Sequence, residues 1–391
     1  MRKIFTLFVM SFIMVQFVSA QTVVRDEQIN FSQLAAYEAA HPELFKPCPT
    51  CPRREADGGW EEFNLPSQPL PPGATIRMAP PIPKRDPNEP RREAPSRTPS
   101  QTFLGHVDPG SIIPPDTYGA VGLNHVITAT NDFVRIHNKV GGAIVSTVSI
   151  SSFTGVASAC DPQMWFDPGT QRWLFLAIGC GTTSGNAVVL MASNTSDPTG
   201  TWRNFQFVPL PGQFLDHPYM GYDDTKIVVG GRKFTPSFSG PEIYLFDKAA
   251  FLAGTPVTFG TNAQTITRTA ADGDSPRPIT EYAPPFSNTG DPQANTVYIV
   301  QSWTNNSLRL STITGSIPSC VWNTGTAVFP TAPDSWTAGN QGNSVQQLTE
   351  TRRVASNDAR VSSAVMMNGK IWVSQHVAFP AGASGTSVTH I

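Results

Sequence analysis

Four aspartates, Asp116, Asp161, Asp216 and Asp358, stand at the head of similar short passages: "PPDTYGAVG", "CDPQMWF", "LDHPYMG" and "NDARVSS". Each acid precedes four to six mostly apolar or small residues. A tight turn follows ("GLNH", "DPGTQ", "YDDTK", "MNGK"), then a strongly β-forming run ("VITAT", "RWLFLAI", "IVVGG", "IWVSQ"). A weaker passage, "SPRPITEY", begins near Arg277. Carboxylates brought together in this way suit acid–base work on a glycosidic bond, or the holding of a cation. They also have a plainer use. An aspartate ahead of a strand accepts backbone hydrogen bonds and sets the turn, and repetition favours that use because a catalytic group is needed once.

The elements that would position these acids follow from the spacing. The starts lie 45, 55, about 60 and about 80 residues apart, and four short strands fit in each interval. A four-stranded unit recurring at this period is the mark of a β-propeller blade. An irregular β-sandwich is the competing architecture, but it does not require a recurring acid before every fourth strand. The expected fold is therefore an all-β propeller of four-stranded blades, with about five blade starts. Radial symmetry would gather the four acids at one mouth of the axial channel, beside His217, Arg277 and Arg360. The first strand of each blade would line the axis with small residues, as in "GAVG" and "SSAV", while Trp173, Phe175, Tyr298 and Trp372 pack blade against blade. The last blade is short of strands. Either "QTFLGHV" (101–107) supplies its outer strand or the chain is truncated, and truncation is the expectation.

The rest of the chain reads as a leader. Residues 1–20 join "MRK" to an apolar run and a small-x-small cleavage site after Ala20, which predicts a signal peptide and a secreted or surface-associated protein. Residues 21–65 hold one helix signal, "NFSQLAAYEAAHPELF", with Leu34, Tyr37 and Ala40 on one face and Pro42 ending it. Residues 66–100 are a proline-rich linker that cannot build a core. Residues 101–391 form the propeller domain. The net charge of −2 in 391 residues implies no basic surface for nucleic acid. The apolar run of 1–20 is too short for a comfortable span, and no second one exists, so no integral membrane protein is expected. Export permits disulfides among the five cysteines. A hairpin turning near Gly169–Thr170 sets Cys160 opposite Cys180. Cys48 and Cys51 ("CPTC") suit a local bridge, and Cys320 is the odd one. The histidines show no metal-ligand spacing, and no motif supports a cofactor or a structural calcium ion.

At this point the residues resemble something known. "PPDTYGAVGLNHVI", "DPQMWFDPGTQRWLFLAI", "SNTSDPTGTW", "LDHPYMGYD" and "FDKAAFLAG" are similar to exported bacterial β-propeller proteins of uncharacterised role, themselves distantly sialidase-like. The resemblance covers roughly residues 102–391 and implies the propeller fold and a secreted life. "TSDPTGTW" (195–202) is close to the Asp-box turn of sialidase-like propellers, which implies that Asp197 braces the turn and Trp202 packs inside. Five-bladed glycosidases use an Asp of the first inner strand as base, a second Asp to tune pKa and a Glu of the third blade as acid. On that pattern the catalytic candidates are Asp116, Asp161, Asp216 and Glu281, and the ligand-binding candidates are His217, Arg277, Asp358 and Arg360. The departure is that "DHPYMGYD" offers no Glu: Glu242 falls on a later strand and Glu281 in the fourth blade. Sialidase chemistry would want three arginines, and only Arg277 and Arg360 present themselves. With the acid position unfilled, the expectation is a non-catalytic module binding a glycan or a cell-surface protein. The alternatives are a glycoside hydrolase working at the axial mouth and a structural or adhesive segment of a longer surface protein.

Overall fold

The β-forming runs become strands, and each repeat folds into its own small sheet. The computed structural model describes residues 21–44, 54–55, 99–107, 112–113, 115–180, 186–281, 295–304, 307–330, 344–346, 353–355, 360–367, 369–378 and 387–390. Five small antiparallel sheets stand in a ring, a five-bladed β-propeller. Blade one is Tyr118–Val121, His125–Ala129, Phe133–Asn138 and Ile144–Ser149. Blade two is Ala159–Asp167, Arg172–Gly179, Val188–Ser193 and Thr201–Val208. Blade three is Phe214–Tyr222, Lys226–Phe234, Phe238–Asp247 and Ala263–Thr267. Blade four is Arg277–Pro278, Val297–Thr304, Ser307–Thr314 and Val321–Pro330. Blade five holds Val361–Met367, Lys370–Ala378 and Ser387–His390, and Thr280–Glu281 joins it by pairing parallel to Val361–Met367.

The core lies between blades. In Arg172–Gly179, Leu174, Leu176 and Ile178 pack with blade three, whereas Trp173, Phe175 and Ala177 pack with blade one. A strand covered on both faces reads as a continuous apolar run, which is why "RWLFLAI" shows no alternation. Further clusters join blade three to four, through Val228, Ile243 and Trp322, and blade four to five, through Val300, Val361 and Met366. Tyr298 packs against the last of these, but Trp372 is 58% exposed and seals no interface.

The first inner strands are less uniformly small than expected. Gly119, Ala120 and Ala364 line the axis together with Met164, Trp165, Phe166 and Met220, and the inner segments of all five blades enclose a cavity of about 350 Å³. The blades approach closely where a side chain is missing: a Cβ on Gly221 would lie 2.7 Å from the carbonyl carbon of Pro278 in blade four.

The segment after residue 20 is built onto the ring. Thr22–Asn30 pairs antiparallel with Thr201–Val208 as a fifth strand of blade two. Arg203 fastens it, donating to both Asp26 carboxylate oxygens (2.7 and 2.6 Å) and to the carbonyls of Phe251 and Thr255 in the blade-three loop. The helix forms as Phe31–Ala40, capped by Asn30, whose side chain accepts from Gln33 N. Its seat is Phe31, buried against the Phe153 ring, while Tyr37 points outward, 52% exposed. The Glu38 carboxylate accepts from Ser149 N and Oγ of blade one. Residues 101–107 lie along blade one, where Gly105 O accepts from Arg135, and so do not supply an edge to blade five. Among the described residues no helix is long and apolar enough to cross a membrane.

Candidate active site at the axial mouth

One backbone feature recurs where the chain enters the inner strands of blades one to four. Asp116, Asp161, His217 and Ser275 all adopt the left-handed conformation, with φ of 45°, 53°, 48° and 45°. Non-glycine residues seldom do so, and Asp, Asn and His tolerate it best. Pro162, Pro218 and Pro276 follow three of the four. In blades two and three the station interrupts the strand pairing in the same way, between Cys160 and Gln163 and between Asp216 and Tyr219. The four passages therefore align as Pro-Asp-Thr-Tyr, Cys-Asp-Pro-Gln, Asp-His-Pro-Tyr and Asp-Ser-Pro-Arg.

This alignment corrects the repeat by one residue in blade three. Asp216 is not equivalent to Asp116 and Asp161; His217 is. Asp216 instead matches Asp274, and the two carboxylates grip Arg232, with Asp216 Oδ2 3.0 Å from Nη1 and Asp274 Oδ1 2.8 Å from Nε. All three are buried, so they form an ion-paired clasp between blades three and four. Asp358, the fifth acid of the pattern, lies outside the described residues, as do Cys48 and Cys51.

Asp116 and Asp161 share one residue that the sequence reading missed. Asn131, at the end of the second strand of blade one, is 1% exposed. Its Nδ2 donates to Asp116 Oδ2 at 2.8 Å, and its Oδ1 accepts from the Asp161 backbone N–H at 3.0 Å. A side-chain amide thus spaces the two aspartates across the seam of adjacent blades. The only signal for it is a polar residue in "TATNDF" where a strand turns.

Two residues below each station lies a second tier: Tyr118, Gln163, Tyr219, Arg277 and, at the head of blade five, Arg360. Gln163 donates to Pro218 O and accepts from Met220 N, tying blade two to three. Arg277 Nε and Nη2 donate to Val361 O of blade five (3.1 and 2.6 Å), and its guanidinium lies over the Tyr219 ring. Arg360 Nη1 lies 2.8 Å from His217 Nδ1. A guanidinium only donates, so Nδ1 accepts, and the neutral ring carries its proton on Nε2, facing Tyr219 Oη. Burial holds the imidazole well below its usual value of 6.5, and the charges of Arg360, Arg277 and Arg232 act the same way. Burial also draws Arg277 down to about 10, opposed by Tyr219 and Tyr118 and reinforced by Arg360. The structure thus brings Asp116, Asp161, His217, Arg277 and Arg360 to one mouth.

It does not bring Glu281 there. Glu281 pairs with Met366, five residues along from Val361, where Arg277 is bound. It stands four residues past Arg277, so at ~3.3 Å per residue it lies up to about 13 Å further from the mouth. Glu242 is fully buried on the third strand of blade three, where it accepts from Thr267 Oγ1; burial pushes its carboxyl up. Neither fills the acid position.

Cys160 and Cys180 are bridged, with Cα atoms 5.8 Å apart, immediately before Asp161. Their joined sulfurs leave no thiolate beside that carboxylate to hold a metal. Cys320 is free and buried. Asp197 accepts from Thr199 N and Oγ1 in the turn leading to the last strand of blade two, and the Trp202 indole is buried with its N–H on Pro198 O.

No protein-family model matches the chain, and no curated protein does. Solved structures do. A GH43 endo-arabinanase from Bacillus licheniformis is 12% identical over 70% of this chain and 91% of its own, with a TM-score of 0.33. A GH43_1 enzyme from Xanthomonas citri complexed with xylose is 10% identical over 70% and 86%, at 0.35. A subtype N11 neuraminidase-like protein from a flat-faced bat isolate is 10% identical over 70% and 71%, also at 0.35. At these identities the likeness is one of fold. Most of these neighbours are described as GH43 arabinanases or xylosidases, which is said of those proteins; the expectation of a non-catalytic binding module finds no support among them. The case for hydrolysis in this chain rests on the mouth itself.

Proposed function

We propose that the protein is a glycoside hydrolase whose site is the axial mouth, with Asp116 and Asp161 as its carboxylate pair. One observation carries the reading: blades three and four build the same left-handed station with His217 and Ser275. The station does not demand a carboxylate, yet adjacent blades one and two each supply one there, and the buried Asn131 amide bonds the Asp116 carboxylate and the Asp161 backbone N–H. Left-handed non-glycine residues are costly and collect at functional sites. Glycosidic cleavage needs one carboxyl to protonate the leaving oxygen and another to act as base or nucleophile. Asp116, which accepts from Asn131, suits the member that stays a carboxylate; Asp161 is the proton donor. His217 is held neutral by burial and by the neighbouring arginine charges, which makes it a positioning group and not the acid.

The reading carries with it export to the cell exterior, where glycans are met. The cleavage site after Ala20 and the Cys160–Cys180 bridge support that placement. The test is a screen of the purified chain against chromogenic glycosides and plant and bacterial polysaccharides. Turnover reduced at least 100-fold in both Asp116→Asn and Asp161→Asn, with folding intact, is expected. Turnover that survives either substitution, or none on any glycan, overturns the reading.

A further inference from the structure

Arg277 has a partner problem that the proposed hydrolysis does not address. It is 4% exposed and lines the axial cavity. Two of its nitrogens share a single carbonyl, that of Val361, and the rest of the guanidinium faces Tyr219 and Tyr118. Among the described residues no carboxylate lies within ion-pair distance of it. The charge that acts on it from blade five is that of another cation, Arg360. Asp116, Asp161 and Asp216 belong to blades one to three, where Asp116 is held by Asn131 and Asp216 by Arg232. The same hub shows how this chain neutralises a buried guanidinium elsewhere, since Arg232 has two carboxylates. A charge taken out of water without a counter-ion is strongly disfavoured.

We propose that the cavity beneath the mouth binds a small monovalent inorganic anion, of halide size, against Arg277. The anion supplies a counter-charge that none of the described residues gives Arg277, in a cavity that Tyr118 also lines. The cavity of about 350 Å³ has room for such an ion with water. Low exposure of the guanidinium favours a free ion over a sugar carboxylate. Bound there, the anion touches the inner strands of blades four and five and locks the ring closed, so it stabilises the fold.

Thermal unfolding at constant ionic strength tests this, with chloride or bromide exchanged for gluconate. The wild-type melting temperature is expected to rise by roughly 2–4 °C and then saturate with halide, as ligand binding to the folded state requires. Arg277→Gln should lose that dependence while Lys370→Gln keeps it. Bromide-soaked crystals of the wild type should show an anomalous peak within ~3.5 Å of the guanidinium, a readout that stands even if Arg277→Gln does not fold. No halide-specific shift and no peak overturn the proposal. Stabilisation by glucuronate but not by halide overturns it too, and assigns Arg277 to substrate. Neither result depends on turnover, so failure here is separate from failure of the hydrolase reading.

Discussion

Arg232→Met tests the account of how the blades are joined. Arg232 is 1% exposed and binds Asp216 and Asp274, which are themselves nearly inaccessible. Its guanidinium also lies over the Phe234 and Phe238 rings, 5.0 and 5.4 Å from the centroids. Methionine preserves most of the volume and removes the charge, leaving two carboxylates of like sign in a site with little water. Breaking a buried pair by removing one partner costs about 3–5 kcal/mol. In a ring of this size that is a fall of roughly 5–8 °C in Tm. Urea unfolding should show the loss as a lower midpoint with an unchanged slope. The control is the triple variant Asp216→Asn, Arg232→Met, Asp274→Asn, which has no charge to strand and should recover at least half of the loss. A cost below about 1 kcal/mol for the single variant, the range of exposed ion pairs, would refute the clasp. So would a triple variant no better than the single one.

Asn131→Ala removes one hydrogen bond to a carboxylate and one to a backbone N–H, so a loss of about 2–4 kcal/mol is expected in urea unfolding. On any glycoside found to turn over, kcat should fall with little change in KM; an unchanged rate would confine Asn131 to architecture. Reducing the Cys160–Cys180 bridge, which spans 20 residues, should cost about 3 kcal/mol. Dithiothreitol should therefore lower the wild-type Tm and leave the Cys160→Ser, Cys180→Ser double variant unmoved. His217 resists protonation in the folded state, so below pH 6.5 the unfolded chain binds the extra proton. Stability should then fall with acidity by up to about 1.4 kcal/mol per pH unit, and His217→Gln should flatten that limb of the curve.

Much of the ring was legible because its signals are local. Acid, turn and β-run recur within about twenty residues, and strands covered on both faces read as unbroken apolar runs such as "RWLFLAI". Blade three was misaligned by one because "DHP" offers an acid beside the station residue, and only φ shows which of the two carries the left-handed turn. Blade four was faint because its inner chain is split, Arg277–Pro278 pairing within its own sheet and Thr280–Glu281 with blade five. Thr22–Asn30 was missed as a strand because six of its nine residues are polar or charged. It adds to an outer edge, where one partner suffices and no apolar pattern is required. The site was half legible. Residue types named Asp116, Asp161, His217, Arg277 and Arg360, but Asn131 joins two blades through a contact 30 residues apart in sequence, which no periodicity records.

The repetition that makes the aspartates look structural also permits the opposite conclusion once the backbone is known. A turn-setting role predicts that each station keeps a residue able to make the same side-chain bonds. The four stations keep only the backbone: Asp, Asp, His and Ser share one φ within 8°. Their side chains go to different partners, Asp116 to an amide and His217 to a guanidinium and a phenol. The fold thus specifies where a side chain enters the mouth and leaves its chemistry open. Two adjacent stations carry acid, and the tier beneath them carries two arginines. Such an arrangement separates charge along the axis, carboxylates at the opening and guanidinium below, and that polarity is what a polar substrate entering from the mouth would meet.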